Sequence, residues 1–570
     1  MCNTRNTRII FMSNLLEQAS LVLIPSGYKE DVVYSEIPIN GAGDMSFTRA
    51  SNGTRINSQG LVETVPWNLV TYSEQFQNAD WFGGGNGKPT MTDNFAEAPN
   101  GTMTASKMES ATDGYQLRQN NAQENTQMNL SVWLRTNTGT KTIQLFLNNA
   151  NTASQNITVT TTWTRYEVSG LVTTLSGSGR NGLNTLEALT SGAYILVWGF
   201  QLSVGLTAKP YFPTTDRLNV PRLTYQNGGG GCPSLLLEKQ STNLQYYSQQ
   251  FDLWSNASDL TVSANATTSP DGTQNADKLN ENSSNGYHII GDSNFNSTAG
   301  TTYTMSFFAK ASERSYARIL APASSYNTDY AYFDLTNGSV SVSSGTASMQ
   351  SMGNGWYRCV WSLAAVSTSG GIGMWIGPAR NMTDAYNTYT GTSGSGIFVY
   401  GAQLEASSYA TSYIPTTSAS ATRVADACYK TGISSLIGSG TGTWFMDFEM
   451  VQGTGTGNPF AFDLSDGSTS NRLFLYWGES LQTWYWGGAD TSITLPSTLR
   501  KKVAVKYSSG TAKLFCNGSS ISTLSINSAF SRLDIGQRFS NTFPMDGKIN
   551  EAFFLTTSLT DAECQALTTI

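Results

Sequence analysis

Hydrophobic and polar residues alternate along this chain in short runs, and the period is two. The pattern is clear at residues 128–134, 143–147, 163–168 and 194–198. It returns at 303–309, 317–320, 356–361 and 397–400, and again at 443–450, 502–507, 511–518 and 547–554. Period-two runs spaced by Ser, Thr and Gly mark half-buried antiparallel strands. No long stretch repeats apolar residues at helical spacing. The pattern predicts an all-β protein of tandem antiparallel β-sandwiches.

The first two groups of runs belong to a duplication. Asn68-Leu69-Val70-Thr71-Tyr72-Ser73-Glu74-Gln75-Phe76 returns as Asn243-Leu244-Gln245-Tyr246-Tyr247-Ser248-Gln249-Gln250-Phe251. Two further anchors follow in the same order. The turn Ala98-Pro99-Asn100-Gly101-Thr102 matches Ser269-Pro270-Asp271-Gly272-Thr273, and Trp198-Gly199-Phe200-Gln201-Leu202 matches Tyr400-Gly401-Ala402-Gln403-Leu404. A copy of this size is a domain, not a solenoid repeat. The opening stretch reads as each module's entry strand, with Tyr72/Tyr247 and Phe76/Phe251 spaced for packing on one face. The junctions are copied too. Leu-Val-Glu (61–63) and Leu-Leu-Glu (236–238) precede the modules, and arginine segments holding Arg217 and Arg423 follow them. The expected division is a leader or attachment segment at 1–66, module 1 at 67–222, a Gly-rich flexible linker at 223–242, module 2 at 243–418, a linker at 419–431 and a separate domain at 432–570.

Composition narrows the class. Only 13% of residues are charged, about half the usual share. Aromatics nevertheless recur in every run, so the chain is not of disordered type. A net charge of -7 argues against nucleic acid as a main partner, because phosphate binding needs a basic face. No apolar run is long enough to span a membrane. Residues 9–12 are too short for a signal-peptide core, and Met12 is the expected start. The six cysteines have neither zinc spacing nor disulfide-framework density, so most are expected reduced, with Cys516 and Cys564 the one pair to examine.

Several motifs resemble known families. The Asn-Leu-x-x-Tyr-Ser-x-x-Phe opening, the Pro-Asx-Gly-Thr turn, the Gly-x-Gln-Leu strand end (Gln201, Gln403) and the Tyr-x-Pro-Thr-Thr close (Tyr211, Tyr413) resemble jelly-roll, carbohydrate-binding-module-like sandwiches of tailed-phage fibre and tail proteins. The leader, with Pro25-Ser26-Gly27-Tyr28-Lys29 and Thr48-Arg49-Ala50-Ser51, is similar to the start of such proteins in phages of gut Bacteroidota, crAss-like ones among them. Residues 432–570 resemble a laminin-G or concanavalin-like lectin domain, through Val503-Ala504-Val505, Leu514-Phe515-Cys516-Asn517-Gly518, Gly547-Lys548-Ile549-Asn550-Glu551-Ala552 and Leu559-Thr560-Asp561-Ala562-Glu563.

The resemblance implies a virion protein made in a bacterial cytoplasm. It would be a homotrimeric head- or tail-fibre subunit, joined to other virion proteins through its N-terminal segment and binding a host surface glycan. The rivals are a polysaccharide depolymerase and a capsid decoration protein without sugar affinity. Concanavalin-fold glucanases carry an acid triplet on one strand. Asp447 and Glu449 match its last two positions, but the nucleophile position holds Phe445, so no catalytic residue is assigned. His288, the lone histidine, has no nucleophile motif nearby and is expected in a surface or packing role. The hairpin 474–486 is the densest aromatic surface. Tyr476, Trp484 and Trp486 are its candidate sugar-stacking rings, although one parity of each strand must face a core. Asp463-Leu464-Ser465-Asp466-Gly467 is either an Asp-Gly turn or a rim site for structural calcium. No other cofactor or metal is expected.

Overall fold

The computed structural model describes residues 14–570, apart from 125, 191, 293–294, 322–328, 384–387, 439, 452–456, 488–489 and 527–528. The expectations about Met12 as the start, and the cysteine at position 2, lie outside the described residues. Half of the chain is strand and 4% is helix, as the period-two pattern predicts. It forms two compact units. One comprises the chain up to Val62 with Asn219–Val262 and Leu279–Ile570; the other comprises Glu63–Leu218 with Ser263–Lys278.

Module 1 lies in the second of these units. Its five-stranded sheet runs Thr164–Val172, Thr126–Thr136, Ile195–Val204, Ala105–Glu109, Thr90–Ala96. Its four-stranded sheet runs Ala153–Val159, Lys141–Leu147, Arg180–Thr185, Gln116–Asn120. Leu130, Val132, Leu134, Ile143, Leu145 and Val197 meet in a shared core. Module 2 has the same plan within the first unit. Gly396–Glu405, Thr302–Ala311, Trp356–Ala364 and Thr346–Gly353 are neighbours in one sheet. Ile289–Gly291, Trp375–Ala379, Tyr316–Leu320, Tyr330–Asp334 and Val340–Val342 are neighbours in the other.

The duplicated residues explain themselves in space. Asn68 is fully buried. Its side-chain amide donates to the carbonyls of Phe200 and Phe212, both at 3.0 Å, and its oxygen accepts from the Leu202 N–H at 3.2 Å. Asn243 donates to Ala402 and Ile414 at 3.0 and 2.8 Å and accepts from Leu404 at 3.0 Å. The hydroxyls of Ser73 and Tyr211 lie 2.8 Å apart; those of Ser248 and Tyr413 lie 2.7 Å apart. The Gln201 and Gln403 side chains accept from the N–H groups of Phe212 and Ile414 at 3.0 and 2.6 Å. These polar groups latch the first segment of each module to its last, because buried amides and hydroxyls must find partners away from water. The expected entry strand is not one. Tyr72 and Tyr247 both take φ +49, a left-handed conformation that breaks a strand, and the stretch runs as turns that aim its polar side chains inward. Phe76 and Phe251 do pack in the cores, with the tyrosines partly buried against them.

The repeated glycine has a cause as well. Across from Ser131 and Trp133, and again from Ser306 and Phe308, the register shifts by one residue. The extra residue is a bulge, with Gly199 at φ +64 and Gly401 at φ +60, as bulges of this kind need. A Cβ at Gly401 would meet the Phe308 ring at 2.9 Å, and one at Gly199 the Trp133 ring at 3.2 Å.

The C-terminal sandwich corrects the expected division of the chain. One sheet runs Arg222–Thr224, Ser234–Leu237, Gly547–Leu555, Thr441–Met450, Arg500–Ser508, Thr511–Cys516, Ser519–Ser525, and Leu21–Leu23 also pairs with Gly547–Leu555. The other runs Tyr28–Lys29, Val32–Val33, Met45–Thr48, Ala427–Thr431, Arg532–Ile535, Phe460–Ser465, Arg472–Gly478, Thr483–Trp486, Thr491–Ile493. Leader strands and linker strands are therefore structural members of the domain. Leu21, Met45, Phe47, Leu223, Leu235 and Cys428 lie in one core with Trp444, Phe462 and Leu514. The glycine run is not a free joint either: a Cβ at Gly60 would meet the Gly228 backbone at 2.3 Å. The chain ends in the helix Asp561–Thr568, started by a capping box between Thr560 and Glu563, the reciprocal pairing that satisfies two free N–H groups.

These inserted segments meet at a buried ion cluster. Arg49 donates to Asp426 at 2.8 Å, and Arg222 donates to Asp426 and, at 2.6 Å, to Glu238. Arg423 lies 3.2 Å from Glu238. The Ser412 N–H and hydroxyl donate to Glu238 at 2.7 and 2.6 Å, and the Glu238 N–H donates to Asp426 at 2.8 Å. None of these five ionisable side chains is more than 7% exposed. Burial by itself would raise the Glu238 carboxyl, but the Arg423 and Arg222 guanidiniums with the Ser412 hydrogen bonds overcome it and hold it down to about 2. Arg217, expected as the counterpart of Arg423, stays in its own module and donates to the Asn68 carbonyl at 2.9 Å; Arg222 takes the place in the cluster.

Arg222→Met leaves two buried carboxylates short of a cation and is expected to cost about 3–5 kcal/mol in urea unfolding. Because the Glu238 carboxyl is depressed in the folded state, its contribution is complete above its ordinary value of 4.5 and is lost as pH falls towards about 2. That loss amounts to about 3 kcal/mol, and an acid titration of stability on Glu238→Gln should be flatter across that window. Gly401→Ala should destabilise by about 1–3 kcal/mol through the bulge.

Candidate functional site

Five stretches of the first unit surround a cleft of about 420 Å³. Lys239 follows the strand Ser234–Leu237, and Tyr409 lies in the turn after Gly396–Glu405. Glu479 follows Arg472–Gly478, while Asp546 stands just before Gly547–Leu555. Asn458 and Phe543 complete the wall. Sandwich strands end here, so their loops supply the side chains on a rigid base.

Asp546 is the most constrained group. Its carboxylate accepts from the Lys239 N–H at 3.0 Å and from the Tyr409 hydroxyl, and it lies 3.7 Å from the Lys239 ammonium. That ammonium also lies 4.8 Å from the centre of the Tyr409 ring, within cation–π range. Burial raises the Asp546 carboxyl to about 6, against the opposing pull of Lys239. Burial and the Asp546 charge in turn push the Tyr409 hydroxyl far above its ordinary value. Glu479 is 9% exposed and accepts from the Gly457 N–H at 3.1 Å. Phe543 is 37% exposed and sits at φ +54, an uncommon conformation for a bulky residue that is held only where the surroundings enforce it.

From Phe543 a line of rings leads over the hairpin. Phe543 lies 6.2 Å from Phe460, Phe460 stacks on Tyr476 at 4.8 Å and 22°, and Tyr476 stacks on Tyr485 at 5.0 Å and 16°. The hairpin register decides which candidate rings belong to this line. Tyr476 is opposite Tyr485, whereas Leu475 faces Trp486 and Trp477 faces Trp484. Residues directly opposite share a face, so Tyr476 and the two tryptophans are separated. Trp484 and Trp486 are 2% and 0% exposed and lie in the core. A sugar has no access to their faces, and they leave the set of candidate stacking rings for that reason. Tyr476 lies on the opposite face, but it is buried between Phe460 and Tyr485, so the open ring there is half-buried Tyr485, which parity alone did not single out.

The remaining candidates are engaged elsewhere. Asp447 and Glu449 share one strand face, but Asp447 is forked by the Arg500 guanidinium at 2.9 and 2.6 Å and accepts from Asn550 at 3.0 Å. Its oxygens are filled in the way a structural ion pair fills them. His288 is fully buried, with Nδ1 2.7 Å from the Asp259 carbonyl and Nε2 2.9 Å from the Tyr389 carbonyl, a packing role. Asp463 is buried and forked by Arg472, while exposed Asp466 accepts from the Ser468 N–H in a turn. The two acids thus serve different partners, and no group of metal-ligating residues forms among the described residues. Cys516 and Cys564 are buried and unpaired, as are Cys359 and Cys428, while Cys232 is disulfide-bonded.

A scan against protein families gives no match, and neither does a search of curated proteins. Solved structures show distant likenesses. The CBM40 of a Ruminococcus gnavus IT-sialidase, bound to α2,3-sialyllactose, is 18% identical, covers 24% of this chain and 86% of its own, and has a TM-score of 0.20. The tandem CBM22-1–CBM22-2 domain of Paenibacillus barcinonensis Xyn10C is 14% identical over 60% of this chain and 97% of its own, with a TM-score of 0.19. Mouse laminin α1 domains LG4-5 are 12% identical over 47% and 89%, with a TM-score of 0.16. Likenesses of this size carry no functional argument, and the chain's own geometry has to.

Trp486→Ala is expected to cost about 3–5 kcal/mol as a core truncation, and Tyr485→Ala about 1 kcal/mol or less. Paired thermal melts would separate the two faces of the hairpin; equal losses would contradict the assignment.

Proposed function

We propose that this chain is a non-enzymatic, glycan-binding structural protein, a fibre subunit of a tailed-phage virion whose C-terminal sandwich meets a host surface sugar. The observation that carries the binding reading is the continuity of the cleft with the Phe543–Phe460–Tyr476–Tyr485 line. Sugar rings present apolar C–H edges and polar hydroxyls, so the exposed Phe543 ring and half-buried Tyr485, held by buried Phe460 and Tyr476 and lying beside carboxylates, an ammonium and an amide, suit both. Phe445 at the nucleophile position and the engagement of Asp447 by Arg500 and Asn550 support binding over hydrolysis, since a glycosidase needs its carboxylates free to act on the substrate.

The virion assignment draws on the resemblance of the leader, the duplicated modules and the C-terminal motifs. With leader strands woven into the C-terminal sandwich, docking to the particle uses surface that the leader shares with that domain. Homotrimeric assembly would multiply weak single sites.

Two measurements test the reading. A glycan array probed with the full chain should give signals that fall at least about tenfold in Tyr485→Ala combined with Phe543→Ala, the loss of about 1.4 kcal/mol or more. An array blank for the wild-type chain would instead favour a decoration protein. Antibody labelling of purified particles should place the chain on the virion surface, and unlabelled particles would overturn the virion assignment.

A further inference from the structure

The cleft carries a charge imbalance that neutral sugar binding does not require. We infer that it selects a ligand bearing a primary ammonium, an amino sugar, with Glu479 as the carboxylate that receives the ammonium and Phe543 as the ring beside it. This rests on the glycan-binding reading and names the ligand class of the same site.

The argument is one of partners. Three charged side chains line the cleft: Lys239 against Asp546 and Glu479. Lys239 is committed, its ammonium lying 3.7 Å from Asp546 and over the Tyr409 ring. Asp546 is committed too, to the Lys239 N–H and the Tyr409 hydroxyl. Glu479 is different. It is more than nine-tenths buried, one oxygen accepts from Gly457, and among the described residues no lysine or arginine pairs with it. A buried carboxylate with a single backbone donor is poorly compensated. An incoming ammonium supplies the missing charge and forms a charge-assisted hydrogen bond, about twice as strong as one from a neutral hydroxyl. Phe543 presents its ring at the same wall, where a cation is also favoured, as the Arg538 guanidinium 5.9 Å from the ring centre shows. An anionic sugar meets two carboxylates and gains only an already paired lysine.

Isothermal titration calorimetry on the full chain tests this with a glucosamine oligomer, its N-acetylated form and a galacturonate oligomer of equal length, at a mildly acidic pH where the glucosamine amines are charged. The glucosamine oligomer should bind at least about tenfold tighter than the N-acetylated one, and the galacturonate oligomer weakest. Glu479→Gln, which keeps an acceptor for Gly457, should erase the preference, bringing the glucosamine oligomer down at least about tenfold to the level of the N-acetylated one. Lys239→Gln should widen the preference. Equal affinities in the wild type, or a preference that survives Glu479→Gln, overturn the inference while the glycan reading stands. No binding of any oligomer overturns both.

Discussion

Five ionisable side chains buried together are costly unless every one is paired, and this constraint organises the first unit. Arg49 comes from the leader, Arg222 and Glu238 from the segment between the modules, and Arg423 and Asp426 from the segment after module 2. Removing any one of them leaves a buried charge behind, so the cluster holds only when all the segments are home. Its net charge of +1, from three arginines and two acids, is eased by acceptors outside it. Arg49 donates to the Val220 carbonyl at 2.8 Å and Arg423 to the Lys239 carbonyl at 2.6 Å. A hydrophobic junction of similar size would be no weaker, but it would specify partners less sharply. Charged groups tolerate few alternative arrangements.

That constraint reaches the cleft. Glu238 and Lys239 are consecutive: one is tied into the ion cluster, and the other, whose N–H donates to Asp546, lies in the cleft wall. Asp426 accepts from the Glu238 N–H, so the backbone that carries Lys239 is fixed from both sides. The cleft side chains stand on strand ends and on backbone that the cluster has already immobilised, and such preorganisation reduces the ordering cost of binding.

The modules use a different economy. Each closes on an uncharged latch of Asn, Ser, Tyr and Gln, and each bends one strand at a glycine bulge where an aromatic ring approaches closely. Uncharged groups carry a smaller desolvation cost than ions. A latch of this kind can therefore be copied whole, as the two modules show, whereas the ion cluster draws on unlike segments and occurs once.

Much of this was legible in the residue pattern. Period-two alternation determined the strands, because a strand with one buried face can show no other period. The duplication determined that two modules share one plan; that its recurring polar positions, Asn68/Asn243 and Gln201/Gln403, form a buried latch came only from the structure. The sequence did not reveal that the stretch opening each module is a set of turns, since a positive φ at Tyr72 leaves no compositional trace. Nor did it show that leader and linkers belong to the C-terminal sandwich. Leu21 pairs with Phe554 across nearly the whole chain, and no local rule reaches that far. Tertiary structure alone sorted the hairpin rings, sending Trp484 and Trp486 into the main core and Tyr476 to the opposite face, where it is buried under half-exposed Tyr485. Parity within a strand fixes which rings share a face, but only the packing partner decides which face is covered. For the same reason the cleft, assembled from residues 239, 409, 479, 543 and 546, exists only once distant strand ends have been brought side by side.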